Sequence, residues 1–436
     1  MVAPFRSQGP RQSEDAGVAP HRSFLIYAAS YVAAGATPFL LLPVLTRHLS
    51  PDQFGEITAF LVLTGLLANT GGLSAHGFLA SRYFKVDARQ LTEMVWTSLV
   101  VLVVTHVAAL AAVALAFPYI GELLGLPFRY ALLAALAAFL LNLNLVFLAI
   151  FQFSGRPWHY LRMRLAQAVM ELALCIGLLF LVAADASARV WSYTAAVALT
   201  ASGGFVYCVR SGLVFPRWNR GAARSLLRFG IPLLPHVAAG MAITYTDRLL
   251  VSSLLGTATL GVYMVATQIG MVMVALIEPL NKALAPWLFR HLASDQHAVR
   301  RMIVRRTYEI CGALVLSGVL LAVAADALFD RLIGREFAAA RGLVPWMIAG
   351  YVAQGMYYLV VNYLFYAERT ATLAAITASA AVLGFLFSYL LIGTLGVTGA
   401  GAAFVLNNVV LMLLVWLGAS RIVPMPWANW RRYDVS

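Results

Sequence analysis

Apolar residues in this chain come in long unbroken blocks, and the polar residues are confined to short intervals between them. About twenty consecutive apolar residues are needed to carry a helix through the roughly 30 Å hydrocarbon core of a bilayer. Twelve blocks are long enough: Phe24–Leu45, Ile57–Phe78, Met94–Phe117, Tyr130–Phe151, Leu161–Val182, Val190–Val209, Phe229–Leu254, Thr259–Leu288, Thr307–Phe329, Leu343–Tyr366, Leu373–Ile392 and Val397–Ala419. The pattern predicts an all-α polytopic membrane protein with twelve transmembrane helices in two six-helix lobes.

Orientation follows from the basic residues, which stay cytoplasmic when they flank membrane helices. With the N-terminus inside, 23 of the 31 Lys and Arg fall in the even loops and the two tails, and only 6 in the odd loops. The odd-loop residues are Arg47, Arg129, Arg189, Arg331, Arg335 and Arg341, while Arg248 and Lys282 stand inside apolar blocks. Both termini are therefore expected in the cytoplasm.

Composition agrees: 61% of residues are apolar and 11% charged, against roughly half and a quarter in soluble proteins. The formal net charge of +13 would suggest nucleic acid in a soluble chain. Here it arises from the positive-inside loops, so nucleic acid is not an expected partner, whereas anionic lipid headgroups are. Cys175, Cys208 and Cys311 lie within or at the ends of spans without paired spacing, and read as packing residues.

The expected organisation is a disordered cytoplasmic tail over 1–23, a six-helix lobe over 24–209, a basic cytoplasmic linker over 210–228, a second lobe over 229–419 and a tail over 420–436. The first apolar block is a full span, with no cleavable signal before it. An internal echo supports duplication: Leu49-Ser-Pro-Asp-Gln-Phe54-Gly55 follows the first span, and Leu255-Gly-Thr-Ala-Thr-Leu260-Gly261 the seventh. Six spans per half make the two halves parallel repeats, an arrangement used by transporters that rock two bundles about a central site. Prolines fall at matching places, Pro38 and Pro43 in span one and Pro232 and Pro235 in span seven, with Pro279 and Pro286 in span eight. They are either hinges or the ordinary prolines of membrane helices. The longest outside interval, Ala325–Gly342, is under about twenty residues and holds no folded domain.

Ionisable residues inside spans are costly and mark candidate sites. Arg248 in span seven has Asp247 beside it, but successive helical residues point about 100° apart. The arginine is thus expected to need a partner from another helix, water or a ligand. Lys282 in span eight follows Glu278 by one turn, in the favourable order for a pair. Glu171, near the middle of span five, has no basic residue within a turn on its own helix, and two roles are open to it: a proton relay, or a neutral hydrogen-bonding acid. In span ten Tyr351, Gln354, Tyr358, Asn362 and Tyr366 recur at three- and four-residue steps, forming one polar-aromatic stripe suited to a wet cavity. Tyrosine and amide groups also provide the apolar faces and hydrogen-bonding tips that a sugar chain requires. Asn142, Asn144, Asn407 and Asn408 are weaker candidates, equally explained by interhelical amide bonds. His106 and His236 are solitary, no metal or cofactor motif stands out, and Gly71-Gly72 and Gly203-Gly204 suit close helix contact.

Several short runs carry a family resemblance. Phe229-Gly-Ile-Pro-Leu-Leu-Pro235, Thr246-Asp-Arg-Leu-Leu250, Leu255-Gly256, Leu260-Gly-Val-Tyr263, Leu284-Ala-Pro286, and Leu45-Thr-Arg-His-Leu49 through Phe54-Gly55 resemble the polysaccharide-biosynthesis (Wzx-type) flippases. These belong to the multidrug/oligosaccharidyl-lipid/polysaccharide (MOP) superfamily, with a MATE-like fold. The resemblance implies a non-enzymatic carrier in the bacterial cytoplasmic membrane. Its cargo would be a polyprenyl-pyrophosphate-linked oligosaccharide, moved from the cytoplasmic to the outer leaflet by alternating access. It implies pyrophosphate contact by Arg248 and Lys282, and glycan contact by the span-ten stripe. Glu171, Asp247 and Glu278 remain for ion coupling or as counter-ions. Polymerase and glycosyltransferases of the same pathway are implied partners, and no cofactor is implied. The competing readings are a cation-coupled multidrug or metabolite antiporter of the same superfamily and a membrane-embedded polysaccharide polymerase or ligase.

Overall fold

The structure is a computed structural model that describes residues 20–293 and 296–428. The expected N-terminal tail lies almost wholly outside the described residues, as do the last eight positions of the C-terminal one. The helices in chain order are α1 (Pro20–His48), α2 (Pro51–Gly71), α3 (Ala75–Arg82), α4 (Ala88–Leu124), α5 (Phe128–Phe153), α6 (Pro157–Leu181), α7 (Ala186–Arg210), α8 (Arg220–Gly230), α9 (Leu234–Leu255), α10 (Thr257–Gly270), α11 (Val272–Leu292), α12 (His297–Leu332), α13 (Val344–Tyr366) and α14 (Thr370–Ile422). Short 3-10 turns at Ile231–Leu233 and Arg335–Gly342 complete the set. No strand occurs among the described residues. Nine of the described helices are long and apolar enough to cross a membrane.

Every apolar block falls on helix, and local chemistry marks many of the boundaries. Asp87 accepts the Gln90 amide at 2.7 Å to start α4, and Gly125, with φ of 60°, ends it. Asp185 accepts the Ser187 amide at 2.8 Å to start α7, which begins earlier than the sequence pattern suggested. Several blocks depart from simple rods. The second breaks between α2 and α3, where Leu73 and Ser74 hold positive φ angles of 45° and 51°. The eighth divides into α10 and α11 around Met271. The last two form one helical run that turns at Gly396, whose φ of 61° suits glycine.

The chain divides into two compact units, Met1–Leu49 with Glu56–Met241, and Ser50–Gly55 with Ala242–Ser436. The basic segment 210–228 is not a free linker: it leads into α8, which stays with the first unit, and the division falls inside α9. The first turn of α2 belongs with the second unit.

In the first unit Phe78, Leu79, Leu102, Phe147 and Leu226 form a core with almost no exposure, bringing α3, α4, α5 and α8 together. Amides join helices here. The Asn142 Nδ2 donates to the Ala68 carbonyl at 2.9 Å and approaches His106 Nε2 at 3.3 Å. Thr105 donates to the Gly71 carbonyl at 2.8 Å, giving that carbonyl a partner at the α2–α3 break. Asn144 on α5 donates to Thr200 on α7 at 3.0 Å. Gly72 and Gly204 allow close approach, since a Cβ would overlap Asn142 or the Phe147 ring.

In the second unit α13 is packed by α10, α11, α12 and α14. Gly270 lies against Met347 and Tyr351, Gly350 against Phe404, and Gly355 against Ile277 and Leu314. The two echoed segments meet within this unit. A Cβ on Gly55 would overlap the Thr257 carbonyl, and one on Gly261 the Pro51 carbonyl. Thr257 donates to Asp52 at 2.9 Å, and Phe54 packs edge-on against Phe337 at 5.6 Å. The contact is reciprocal because Pro51 and Gly55 occupy the same places in their segment as Thr257 and Gly261 in theirs. After α14 the chain folds back, where Tyr308 donates to the Trp427 carbonyl at 3.0 Å and Trp427 packs on Trp416 and Tyr363.

Candidate functional site

Arg248 lies on α9, which carries Thr244, Tyr245 and Asp247 beside it, with α10 supplying Tyr263 and Met264. The expected mismatch with Asp247 is corrected by the structure. The long guanidinium side chain curls back along its own helix, donating to the Thr244 carbonyl and reaching Asp247 Oδ1 at 3.4 Å from Nη1. A lysine-length or longer side chain can cover the 100° between successive residues because its methylenes bend, which a rigid-vector argument ignores. Its Nε lies 3.3 Å from Met264 Sδ, and its guanidinium carbon 5.9 Å from the Tyr245 ring. The other Asp247 oxygen accepts the fully buried Tyr263 hydroxyl at 2.5 Å. Tyr351 from α13, packed edge-on against Phe404 at 5.1 Å, is near enough to Arg248 and Asp247 to feel their charges.

The cluster is thus an oppositely charged pair whose carboxylate is held by Tyr263. Arg248 and Asp247 keep 14% and 12% of their side-chain surface exposed. Among the described residues no protein group takes Arg248 Nη2, which leaves one edge of the fork for an incoming acceptor.

The span-ten stripe divides between neighbours. Tyr351 belongs to the Arg248 cluster. Gln354 and Tyr358 are half-buried, and Asn362 is buried, donating to Asn281 on α11 at 2.8 Å and to the Tyr358 carbonyl at 2.9 Å. Tyr366, 37% exposed, packs against Phe289 at 5.8 Å. The Glu278–Lys282 pair forms at 3.4 Å, with the lysine side chain 63% exposed. No hydrogen bond or ion pair joins Lys282 to Arg248, so the two expected phosphate contacts belong to separate groups. Sequence reasoning passed over Asn281; its place between Glu278 and Lys282 on one face of α11, four positions or fewer apart, was the available signal.

Glu171 does not stand alone at its depth. Arg189 on α7 reaches it at 2.6 Å, and Arg189 itself, counted above as an outside-loop residue, is 5% exposed. The pair was hidden because its halves sit eighteen positions apart, on antiparallel neighbours. Asn407 donates to Ser388 at 3.2 Å across the α14 turn, and Asn408 only to its own helix. Cys175, Cys208 and Cys311 carry free thiols. The side chain of His236 lies outside those described. Among the described residues, no three His, Cys, Asp or Glu side chains gather as a metal site.

The chain aligns in three dimensions with the lipid II flippase MurJ in an inward closed conformation, at a TM-score of 0.69 and 10% identity over 91% of this chain and 87% of that one. It also aligns with an inward-facing MATE-family multidrug transporter of the MOP superfamily, at a TM-score of 0.59 and 13% identity over 95% and 96%. It therefore has the fold of the MOP-superfamily transporters and flippases. Residues 44–341 match the polysaccharide biosynthesis protein family, and the chain belongs to that family. An Lsg locus protein of Haemophilus influenzae is 20% identical over 78% of this chain and 84% of its own length. A membrane protein of the same organism, without an assigned role, is 23% identical over 79% and 83%.

Proposed function

We propose that this protein flips polyprenyl-pyrophosphate-linked oligosaccharide units from the cytoplasmic to the outer leaflet of a bacterial inner membrane, by alternating access through twelve membrane crossings with both termini inside. The observation that carries this is the Arg248 cluster: a guanidinium held in place by its own helix, inside a member of a polysaccharide biosynthesis family, with one edge free. Arginine suits a phosphate because its planar fork donates two parallel hydrogen bonds. Asp247 offsets the charge while the site is empty and keeps the arginine stretched along α9. The half-buried Gln354, Tyr357 and Tyr358 of α13, with Asn281 and Lys282 of α11, offer the rings and amides that sugars require.

The test is reconstitution. Purified protein in sealed vesicles with a polyprenyl-pyrophosphate-linked oligosaccharide should render its glycan accessible to a glycosidase on the opposite side, faster than protein-free vesicles do. The antiporter reading expects proton- or sodium-dependent efflux of cationic drugs from the same vesicles and no movement of the lipid-linked glycan. The partly buried Asp247 is the one observation that favours it, but that carboxylate is already engaged by Arg248 and Tyr263.

A further inference from the structure

The segment between α7 and α9 presents a second basic surface, remote in sequence from Arg248 and unused by the function proposed above. α8 is amphipathic. Ala222, Ala223, Leu226 and Gly230 are buried, and the helix packs on α3 and α4. The opposite face carries Arg220, Arg224, Leu227 and Arg228, all exposed, within an arc of about 100° at 3.6 residues per turn.

The approach to α8 is pinned. Asn219 caps the helix by accepting the Ala222 amide at 3.0 Å. Its own side-chain amide donates to Glu93 at 2.8 Å, and its backbone amide to Thr97 at 3.1 Å. Glu93 also receives Arg217 at 3.2 Å and Arg89 at 3.5 Å. This carboxylate is thereby spent on fixing the elbow. Among the described residues no acid pairs with Arg220, Arg224 or Arg228. Arginines at i, i+4 and i+8 repel one another along a helix, so their spacing costs stability unless an anion lies across them.

Flanking the arginines, Phe215 is 63%, Trp218 48% and Ile231 52% exposed. The neighbouring α3–α4 turn adds Phe84, 78% exposed, next to Lys85. Exposed aromatics beside free cations on a short amphipathic helix, at the ends of membrane helices, are the composition of an element lying in the bilayer interface.

We infer that the outer face of α8, with Phe215 and Trp218, is a binding site for anionic phospholipid headgroups: the guanidinium groups engage lipid phosphates and the rings enter the acyl boundary. The inference needs the chain to lie in a bilayer, and nothing about its cargo, so it stands or falls separately from the flippase reading.

The test uses the purified, delipidated full-length protein in non-ionic detergent, titrated with phosphatidylglycerol or phosphatidylcholine and read by native mass spectrometry. Each basic residue at an anionic surface contributes several-fold in affinity, so R220Q/R224Q/R228Q should bind the first phosphatidylglycerol at least about tenfold more weakly than wild type. Its phosphatidylcholine binding should be unchanged. R129Q/R331Q/R335Q removes the same charge elsewhere and should keep the wild-type preference. If the triple variant does not fold, the single variants Arg224→Gln and Arg228→Gln carry the test, each with a several-fold loss. Undiminished phosphatidylglycerol binding, an equal loss in the control variant, or affinity for polyprenyl pyrophosphate without affinity for phosphatidylglycerol would each overturn the assignment.

Discussion

Arg189 on α7 holds Glu171 on α6 at 2.6 Å, and the two side chains are only 6% and 8% exposed. The guanidinium also lies 5.7 Å from the Tyr193 ring, while its Nη1 has no hydrogen-bond partner among the described residues. A buried ion pair contributes little net stability, because desolvation offsets the attraction, but losing one partner strands a charge. Glu171→Ala should therefore destabilise the protein by about 3–5 kcal/mol. Replacing both residues by apolar ones of similar size should recover most of that. Thermal unfolding of the purified variants checks this, and a double variant as weak as the single one would mean that the pair itself supports the α6–α7 contact.

That pair also shows where the sequence stopped being legible. Block length was enough to locate the long apolar helices, because it is a property of single segments in a bilayer. The partner of Glu171 depends on which helices lie side by side and at what height. Arg189 looked like a loop residue because the start of α7 is set by the Asp185 cap rather than by apolarity. At Arg248 the failure was different: its place on α9 was legible, but the folding of its side chain onto Asp247 was not, since helical spacing fixes Cβ directions and leaves four further torsions open. The span-ten stripe follows one face of α13, yet Asn362 spends its amide on Asn281, which no periodicity within α13 reveals.

The reciprocal glycine crossing offers a prediction on packing. Gly261 meets the Pro51 carbonyl and Gly55 the Thr257 carbonyl, backbone against side-chain space with no flexible tip to yield. Gly261→Leu should cost about 1–3 kcal/mol by overpacking and should expose Phe54, now 5% exposed. Faster labelling of a cysteine placed at Phe54 in the Gly261→Leu background would show that the crossing had opened. An unchanged melting temperature and labelling rate would show that the backbone accommodates it.

Orientation is checked by single cysteines introduced at Arg220, on α8, and at Gly393, before the α14 turn. From the distribution of basic residues the first is expected inside and the second outside. A membrane-impermeant thiol reagent added to intact cells should label position 393 and spare position 220. The reverse pattern would invert the topology.

Accessibility along α13 should follow the observed division of the stripe. Cysteines at Gln354 and Tyr358, which are half-buried, should react with a small hydrophilic thiol reagent, whereas those at Leu359 and Val360, 8% and 3% exposed, should not. Asn362→Cys should react slowly, since the side chain sits beneath Asn281. Equal reactivity on both faces, or none on the stripe, would mean that the stripe does not mark a wet face of α13.

Arg248 gives the most direct test of the site. If its free edge receives the substrate phosphate, Arg248→Ala should abolish surface polysaccharide while the protein still inserts at near-normal levels. Arg248→Lys should restore only part, because an ammonium cannot reproduce a two-pronged contact. Asp247 distinguishes this from a structural role. Were the arginine present only to balance Asp247, Arg248→Ala would lower protein abundance, and Asp247→Asn in the same chain would restore both abundance and export. On the phosphate-binding reading, Asp247→Asn restores abundance at most and leaves export absent. Polysaccharide export and membrane abundance measured in the single and double variants decide between the two. Normal export by a well-expressed Arg248→Ala protein would remove Arg248 from the site.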